Sequence, residues 1–285
     1  MENSNKMKRI LVPVDFSPAA EKAFRYAMDI ALKAKGTVIL YHVYKPVATT
    51  FKDTVQKREQ PDTQTETNLV KRLQRLKKKV TGDKADVPVS TIAGQSPLID
   101  TILGFAVDNR IDLVVMGTGG ASGLKKRIIG SVAARIIEKT AIPVLLVPKK
   151  FKWLEPKQFV FAANYLQTDR QALSFVVALA RLYGAAVTVV HLVDVFAKEE
   201  KEKTDFNTYT STLQREFNEF NLEFKLMKTS SVTETMETLY KEISYDMLAM
   251  LRRKKTFMDR FIQKSFTKNM AYVTRHPLLV VPEVE

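Results

Sequence analysis

The chain has 285 residues, of which 45% are hydrophobic and 27% are charged, and this balance predicts two ordinary-sized globular domains or one large domain. Cysteine is absent and histidine occurs three times, which excludes disulfides, thiolate catalysis and cysteine-based zinc sites and gives no reason to expect a metal site. Residues 1–150 hold 26 Lys and Arg against 14 Asp and Glu and account for most of the net charge of +14. This excess is typical of a basic surface or of a protein that binds an anionic ligand or nucleic acid.

The beginning of the chain predicts a strand, a helix and a second strand. A polar N-terminal segment leads directly into the apolar run 9–15, which is unlike a signal peptide. Ser17 and Pro18 form a helix-start signal, the helix is predicted over 19–35, and a second strand follows Gly36 at 37–43. No apolar run reaches the roughly 20 residues that span a bilayer. We therefore expect a cytoplasmic protein without a membrane partner.

The densest basic cluster lies on a predicted helix at 71–79. Leucines at 69, 73 and 76 and Val80 form the opposite, apolar face of that helix. This pattern is typical of a solvated basic face over a packed one. Because no aromatic residues alternate with these charges as base-stacking platforms would, nucleic-acid binding is not expected.

A glycine spacing is the most informative motif. Gly117, Gly120 and the pair Gly130-Ser131 follow an apolar run at 111–116 and precede a helical run at 132–137. A strand, a glycine loop and a helix N-terminus together favour anion binding, because backbone N–H groups and the helix dipole face the same gap. A tight loop without a ligand is the alternative interpretation.

The second half of the chain repeats the first. His42 and His191 correspond at a spacing of 149 residues, and the strand at 143–147 corresponds to 277–281 at a spacing of 134. Two units are therefore predicted, at 1–150 and 151–285. In each unit, apolar strands alternate with amphipathic helices, which predicts an α/β fold of two repeated Rossmann-like domains, each a mostly parallel five-stranded sheet with helices on both faces. Ligands of such sheets bind beyond the carboxyl ends of the strands, where Asp15, Val43 and Gly117 would meet.

With these motifs in place, both halves resemble the universal stress protein family in a tandem two-domain form. In the first half, the run VPVDFS at 12–17, the complete glycine spacing and the run AIPVLLV at 141–147 are similar to the branch that binds ATP. The resemblance implies ATP, with or without Mg²⁺, as the ligand of the first domain. It implies that adenine and ribose are surrounded by Pro13, Val14, Asp15 and Val43. The phosphates and their approach would be lined by Met116, Gly117, Gly120, Gly130, Ser131 and Val132.

The residue types agree with such a site. Asp15 would accept hydrogen bonds from ribose hydroxyls or hold a metal beside the phosphates, or it is a turn residue. Ser131 adds a hydroxyl to the donors of a helix start. Lys125, Lys126 and Arg127 lie inside the spacer, where they would either supply charge over the triphosphate or form a solvated loop. His42, in an apolar strand, is interpreted as a core histidine.

The second half lacks the glycines. At the spacing of 134, Leu251, Lys254 and Lys264 stand where the first half has Gly117, Gly120 and Gly130. At the spacing of 149, Asn164 stands where the first half has Asp15. We expect a domain that keeps the fold and has lost ATP. Side chains of the cluster Arg252, Arg253, Lys254 and Lys255 would be available for another anion.

These features predict a stress-response regulatory protein that binds ATP in its first domain and uses its second as a structural partner. The resemblance implies pairing through the last strands of the two domains, at 143–147 and 278–281, as an internal pseudo-dimer, and a homodimer of the chain is a further expectation. No general base stands beside the glycine loop, so no catalytic residue is assigned and at most slow ATP hydrolysis or self-phosphorylation is expected. The alternative is an interaction scaffold independent of nucleotide.

Overall fold

The computed structural model describes residues 7–45, 63–82, 86–118, 130–163, 167–194, 199–229, 239–252 and 276–283. The first half consists of β1 (Arg9–Pro13), α1 (Pro18–Ala34), β2 (Thr37–Tyr44), α2 (Thr63–Thr81), β3 (Val89–Gln95), α3 (Leu98–Asp108), β4 (Leu113–Thr118), α4 (Ser131–Lys139) and β5 (Val144–Pro148). The second half consists of β6 (Gln158–Ala163), α5 (Gln167–Tyr183), β7 (Ala186–Asp194), α6 (Glu199–Glu216), β8 (Leu222–Thr229), β9 (Met247–Arg252) and β10 (Leu278–Pro282). No helix in these ranges has the length and apolar character that a bilayer crossing needs.

The strands form one ten-stranded sheet in the order β3-β2-β1-β4-β5-β10-β9-β6-β7-β8. Neighbouring strands are parallel within each half. Each half thus places its first strand between its second and fourth, and its fifth strand lies next to the fourth. The predicted α/β fold with two repeated, Rossmann-like units is confirmed.

The two halves meet at their last strands. β5 and β10 pair antiparallel, with Leu146 opposite Leu278 and Val144 opposite Val280, and both strands are buried along their whole length. An aliphatic strand edge left open would template association with another chain. Here each half covers the other's edge, which is the internal pairing that the sequence analysis expected.

Helices cover both faces of the sheet. The core on one face combines side chains of α1, α2, α5 and α6, and the core on the other combines those of α3 and α4. β1 shows the alternation that this requires, since Ile10 and Val12 belong to the first core and Leu11 to the second. Continuous apolar strands are needed because both faces are buried.

α1 begins and ends where the sequence predicts. Ser17 Oγ accepts the N–H of Ala20 at 3.2 Å, and Pro18 occupies the first turn. At the other end, Lys35 is left-handed with φ of 51°, and a Cβ on Gly36 would lie 2.8 Å from the carbonyl oxygens of Met7 and Lys8. Gly36 therefore allows the chain to pass close to the start of β1.

Polar contacts between α1, α5 and residues 149–157 tie the halves together on one face. The Tyr183 hydroxyl donates to Asp29 Oδ2 at 2.7 Å, and Lys33 Nζ lies 2.5 Å from Glu155 Oε1. Trp153 packs edge-on against Tyr26, with ring centroids 4.5 Å apart. Burial raises the pKa of both tyrosines, so their phenols stay protonated at neutral pH.

Candidate functional site

A cavity of about 250 Å³ opens beyond the carboxyl ends of β1, β2 and β4, where the sheet order changes direction. Ligands of doubly wound sheets bind at this kind of switch point. Its wall combines backbone from the strand ends with side chains of α1, α3 and α4. The lining residues are Pro13, Val14, Asp15, Ser17, Ala20, Tyr41, His42, Val43, Leu98, Ile102, Met116, Gly117, Gly130, Ser131, Val132 and Ala133.

The cavity brings together the site residues that the sequence singled out. All of them line it except Gly120, which falls outside the described residues, as do Lys125, Lys126 and Arg127. Tyr41, Leu98 and Ile102 also line the cavity and were not predicted. Tyr41 lies in the predicted strand at 37–43, and no motif in the sequence marked Leu98 or Ile102.

Two hydrogen bonds join β2 to Val14, the residue that follows β1. The N–H of Val14 donates to the carbonyl of Tyr41 at 2.8 Å, and His42 Nδ1 lies 2.7 Å from the carbonyl oxygen of Val14. Since a carbonyl oxygen only accepts, Nδ1 carries the proton in this contact. His42 was predicted to be a core histidine, whereas it is half-buried and lines the cavity.

Asp15 takes part in a turn at the cavity rim. Its Oδ1 accepts the N–H of Ser17 at 3.0 Å, while its side chain is exposed and borders the cavity. A carboxylate that accepts its own turn's N–H is held in place before any ligand arrives. The turn interpretation is therefore observed, and it leaves the carboxylate at the cavity.

Phe16 lies between a cation and His42 beside this turn. Its backbone is left-handed with φ of 62°, its ring lies 4.7 Å from that of His42, and the Arg72 guanidinium lies 4.0 Å from its centroid. Other cations of α2 also have partners: Lys77 Nζ donates to the carbonyl of Val89 at 2.7 Å, and Lys79 Nζ to Glu21 at 2.5 Å. The basic side chains of α2 are otherwise exposed and Leu73 is buried, which agrees with the expected solvated face over a packed one.

Gly117 has a packing reason for lacking a side chain. A Cβ on it would lie 2.5 Å from the backbone carbonyl carbon and oxygen of Ala19. Because α1 crosses β4 this closely, any larger residue forces the helix away. Helix packing therefore gives this glycine a reason of its own beside the expected approach of a ligand.

α4 presents its N-terminus to the cavity. Gly130 is the N-cap, with φ of −55° and ψ of 144°, and provides no side-chain cap. Helix geometry leaves the first-turn N–H groups without intrahelical carbonyls, and the helix dipole adds partial positive charge there. Ser131 is exposed and Val132 half-buried at this end. This arrangement is suited to an anionic group.

The second half differs at the corresponding positions. Leu251, in place of Gly117, is buried in the core on the α1 and α5 face. Asp169 is buried to 1% exposure at the position of Ala20. His191 Nδ1 repeats the carbonyl contact, to Ala163 at 2.9 Å, and its Nε2 lies 3.8 Å from Glu202. Burial lowers the pKa of His191, and the carbonyl of Ala163 and the carboxylate of Glu202 oppose that shift.

Arg252 is engaged within the protein. Its Nη1 donates to the carbonyl of Glu138 at 3.1 Å and its Nη2 to the carbonyl of Thr140 at 2.6 Å. The expectation that this side chain is available for another anion is therefore wrong. Its predicted companions Arg253, Lys254 and Lys255, together with Asn164 and Lys264, lie outside the described residues. Within the described ranges, no group of three or more His, Asp or Glu side chains is arranged to hold a metal.

Comparisons with known proteins agree with this duplication. The sequence profile of the universal stress protein family matches residues 6–148 and again residues 157–282. Universal stress protein MJ0531 of Methanocaldococcus jannaschii is 31% identical over 151 residues, which cover 52% of this chain and 86% of that protein. The crystal structure of a universal stress protein from Archaeoglobus fulgidus has a TM-score of 0.67 at 17% identity and covers 97% of each chain. The solved structure therefore aligns along nearly the whole of this chain, whereas MJ0531 matches about half of it.

Proposed function

Since the chain belongs to the universal stress protein family and carries that family's domain twice, we propose that its first half binds ATP in the cavity between β1, β2, β4 and α4. The second half acts as a structural partner that shields the edge of the first. In this proposal the chain is a cytoplasmic regulator in the stress response, and nucleotide occupancy is its signal.

The observation that carries the proposal is the composition of the cavity wall. One side is apolar, with Val43, Leu98 and Ile102, and offers flat contact to a base. Another part of the wall is the N-terminus of α4 at Ser131, which has no side-chain cap and suits phosphate. Asp15, held by Ser17, lies where ribose hydroxyls would donate. A nucleotide needs these three kinds of contact: an apolar surface for its base, an acceptor for its ribose hydroxyls and donors for its phosphates.

One residue of the cavity, Asp15, is suited to bind Mg²⁺ together with the nucleotide. Mg²⁺ in nucleotide sites is bound through one or two carboxylates together with phosphate oxygens, and Asp15 is the cavity's exposed carboxylate. As the alternative to accepting from the ribose, Asp15 would hold the ion beside the phosphates, and the ion would neutralise their charge. No catalytic residue is proposed, so any hydrolysis would be slow.

The second half is proposed to have lost this ligand. Buried Leu251 occupies the position of Gly117, and the buried carboxylate Asp169 occupies the position of Ala20. A carboxylate close to phosphate costs free energy through repulsion. The alternative, a scaffold independent of nucleotide, is supported by this loss, because the fold persists without the glycine spacing.

Calorimetric titration with ATP and Mg²⁺ tests the proposal on protein stripped of carried-over nucleotide. The informative variant is Gly120→Lys, which copies Lys254, and its matched control is Lys254→Gly in the second half. We expect one ATP per chain for wild type and for the control, and none for Gly120→Lys. Absence of binding by the wild type would overturn the nucleotide proposal in favour of the scaffold.

A further inference from the structure

Arg252 connects the second half to the helix that opens the cavity of the first. It is the last residue of β9, where it lies opposite Pro282 on β10 and accepts the N–H of Glu283 at 2.9 Å through its carbonyl. Its backbone is therefore anchored in the second half. Its guanidinium reaches into the first half, where it donates to the carbonyl oxygens of Glu138 and Thr140.

This contact is at the end of α4 that faces away from the cavity. The carbonyls of the last turn lack intrahelical partners and carry partial negative charge, so a guanidinium satisfies both the hydrogen bonds and the charge. α4 has nine residues and is therefore about 13 Å long. A helix this short moves as one body, and a shift at Thr140 is transmitted to Ser131.

The two ends of α4 are held differently. At the cavity end, Gly130 offers no side-chain cap. At the far end, the N–H of Thr140 bonds to the carbonyl of Ile136 at 2.8 Å, and Arg252 adds two charge-assisted hydrogen bonds, which are stronger than neutral ones. Among the described residues, the hydrogen bonds that anchor α4 from outside are at its C-terminus and come from a residue of the other half.

The contact is also asymmetric between the repeats. At the spacing of 134, the residue that corresponds to Arg252 is Thr118, which ends β4 as a neutral side chain buried to 3% exposure. The half that lost the glycine spacing therefore carries a cation where the half that kept it does not.

We propose that Arg252 is a positioning residue through which the second half sets the phosphate-facing end of α4. This inference rests on the proposed nucleotide binding. It makes the second half a determinant of affinity in the first, acting through α4 without touching the ligand. The effect is expected on the phosphates, which face α4, and not on the nucleoside, which faces β1 and β2.

The test compares the binding of ATP, AMP and adenosine to the full-length wild type and to Arg252→Gln and Arg252→Lys by calorimetry. Arg215→Gln is the matched control, because Arg215 Nε also donates to a backbone carbonyl, that of Ser211 at 3.3 Å, but within α6. We expect Arg252→Gln to weaken ATP and AMP roughly fivefold, the scale of a cation at a helix C-terminus, and to leave adenosine unchanged. Arg252→Lys, which keeps the charge, should recover part of the loss.

Each result decides between a positioning role and a structural one. Equal weakening of ATP and adenosine by Arg252→Gln, or no weakening of either, would overturn the role of Arg252 while leaving the nucleotide proposal intact. Lack of ATP binding by the wild type would instead overturn the proposed function, and this inference with it. Amide hydrogen exchange of α4 provides a second readout: faster exchange in Arg252→Gln, and not in Arg215→Gln, is expected if the guanidinium anchors the helix.

Discussion

His42 and His191 make the same hydrogen bond in the two halves of the molecule. Each ring Nδ1 contacts the carbonyl oxygen of the residue 28 positions earlier, Val14 at 2.7 Å and Ala163 at 2.9 Å. The contact persists in the half that lacks the glycine spacing. The contact is therefore part of the fold, because it joins the end of one strand to its neighbour. In the first half it also fixes the position of Val14, which lines the cavity.

Replacing His42 separates these roles. His42→Leu removes the donor to Val14 and should weaken ATP binding about fivefold, the effect of one neutral hydrogen bond worth about 1 kcal/mol. His42→Asn, whose side-chain amide supplies a donor at a similar position, should retain most of the affinity. The control is His191→Leu, which should lower stability without changing ATP affinity. Equal losses of affinity in His42→Leu and His191→Leu would contradict the assignment.

Gly117→Ala should destabilise the protein. The added methyl would lie 2.5 Å from the Ala19 backbone, and overpacking of this kind costs about 1–3 kcal/mol. The matched control is Gly104→Ala in α3, where a Cβ meets nothing within 4 Å and helix propensity predicts a gain of about 0.5–1 kcal/mol. Urea denaturation of both variants measures the two free energies of unfolding, and opposite signs are expected.

Two tyrosines at the contact between the halves, the buried Tyr26 and the half-buried Tyr183, should respond differently to loss of their hydroxyls. Tyr183→Phe loses the hydrogen bond to Asp29 and leaves that half-buried carboxylate with one donor fewer, at a cost of about 1–2 kcal/mol. The Tyr26 hydroxyl is buried and has no hydrogen-bond partner among the described residues. Tyr26→Phe should therefore be neutral or stabilising. A loss of similar size for both in thermal denaturation would argue against this interpretation.

The stability of the second half should fall as the pH drops below about 6.5. Burial lowers the pKa of His191, so in this range the unfolded chain binds more protons than the folded one and the free energy of unfolding rises with pH. The contribution is complete above the usual histidine pKa near 6.5 and is lost as the pH falls toward the folded value. Denaturation curves between pH 5 and 8 should show a shallower slope for His191→Gln.

Replacing Glu202 tests the direction of this pH effect. Its carboxylate raises the pKa of His191 against the effect of burial. Glu202→Gln should therefore lower that pKa further and steepen the loss of stability at acidic pH. An unchanged slope in Glu202→Gln would show that this carboxylate does not act on His191.

The fold was largely accessible from the sequence because both faces of the sheet are buried. Strands such as β5 and β10 are continuous aliphatic runs, and helix α1 is bounded by local signals at Ser17 and Gly36. Such features act within a few residues of each other. The position of the cavity was also predictable, because the carboxyl ends of parallel strands lie at one edge of the sheet.

The remaining features depend on contacts between distant segments. Gly117 lines the cavity as expected, and the crossing of α1 at Ala19 adds a packing requirement that no local pattern reports. Arg252 lies 112 residues from Thr140, and within a run of basic residues it looked like a side chain open to an anion. Its true partners follow from the strand order β5-β10-β9, which places the end of β9 near the end of α4.

The antiparallel β5–β10 junction has a consequence for how the two repeats diverged. In a dimer of two identical chains, a substitution at the junction is present in both subunits and therefore on both sides of the interface. Pairing in such a dimer also depends on protein concentration. A covalent tandem makes the same pairing intramolecular at a high effective concentration. Each side then meets a constant, non-identical neighbour, so one repeat can carry a residue such as Arg252, whose guanidinium donates to carbonyls of the other repeat.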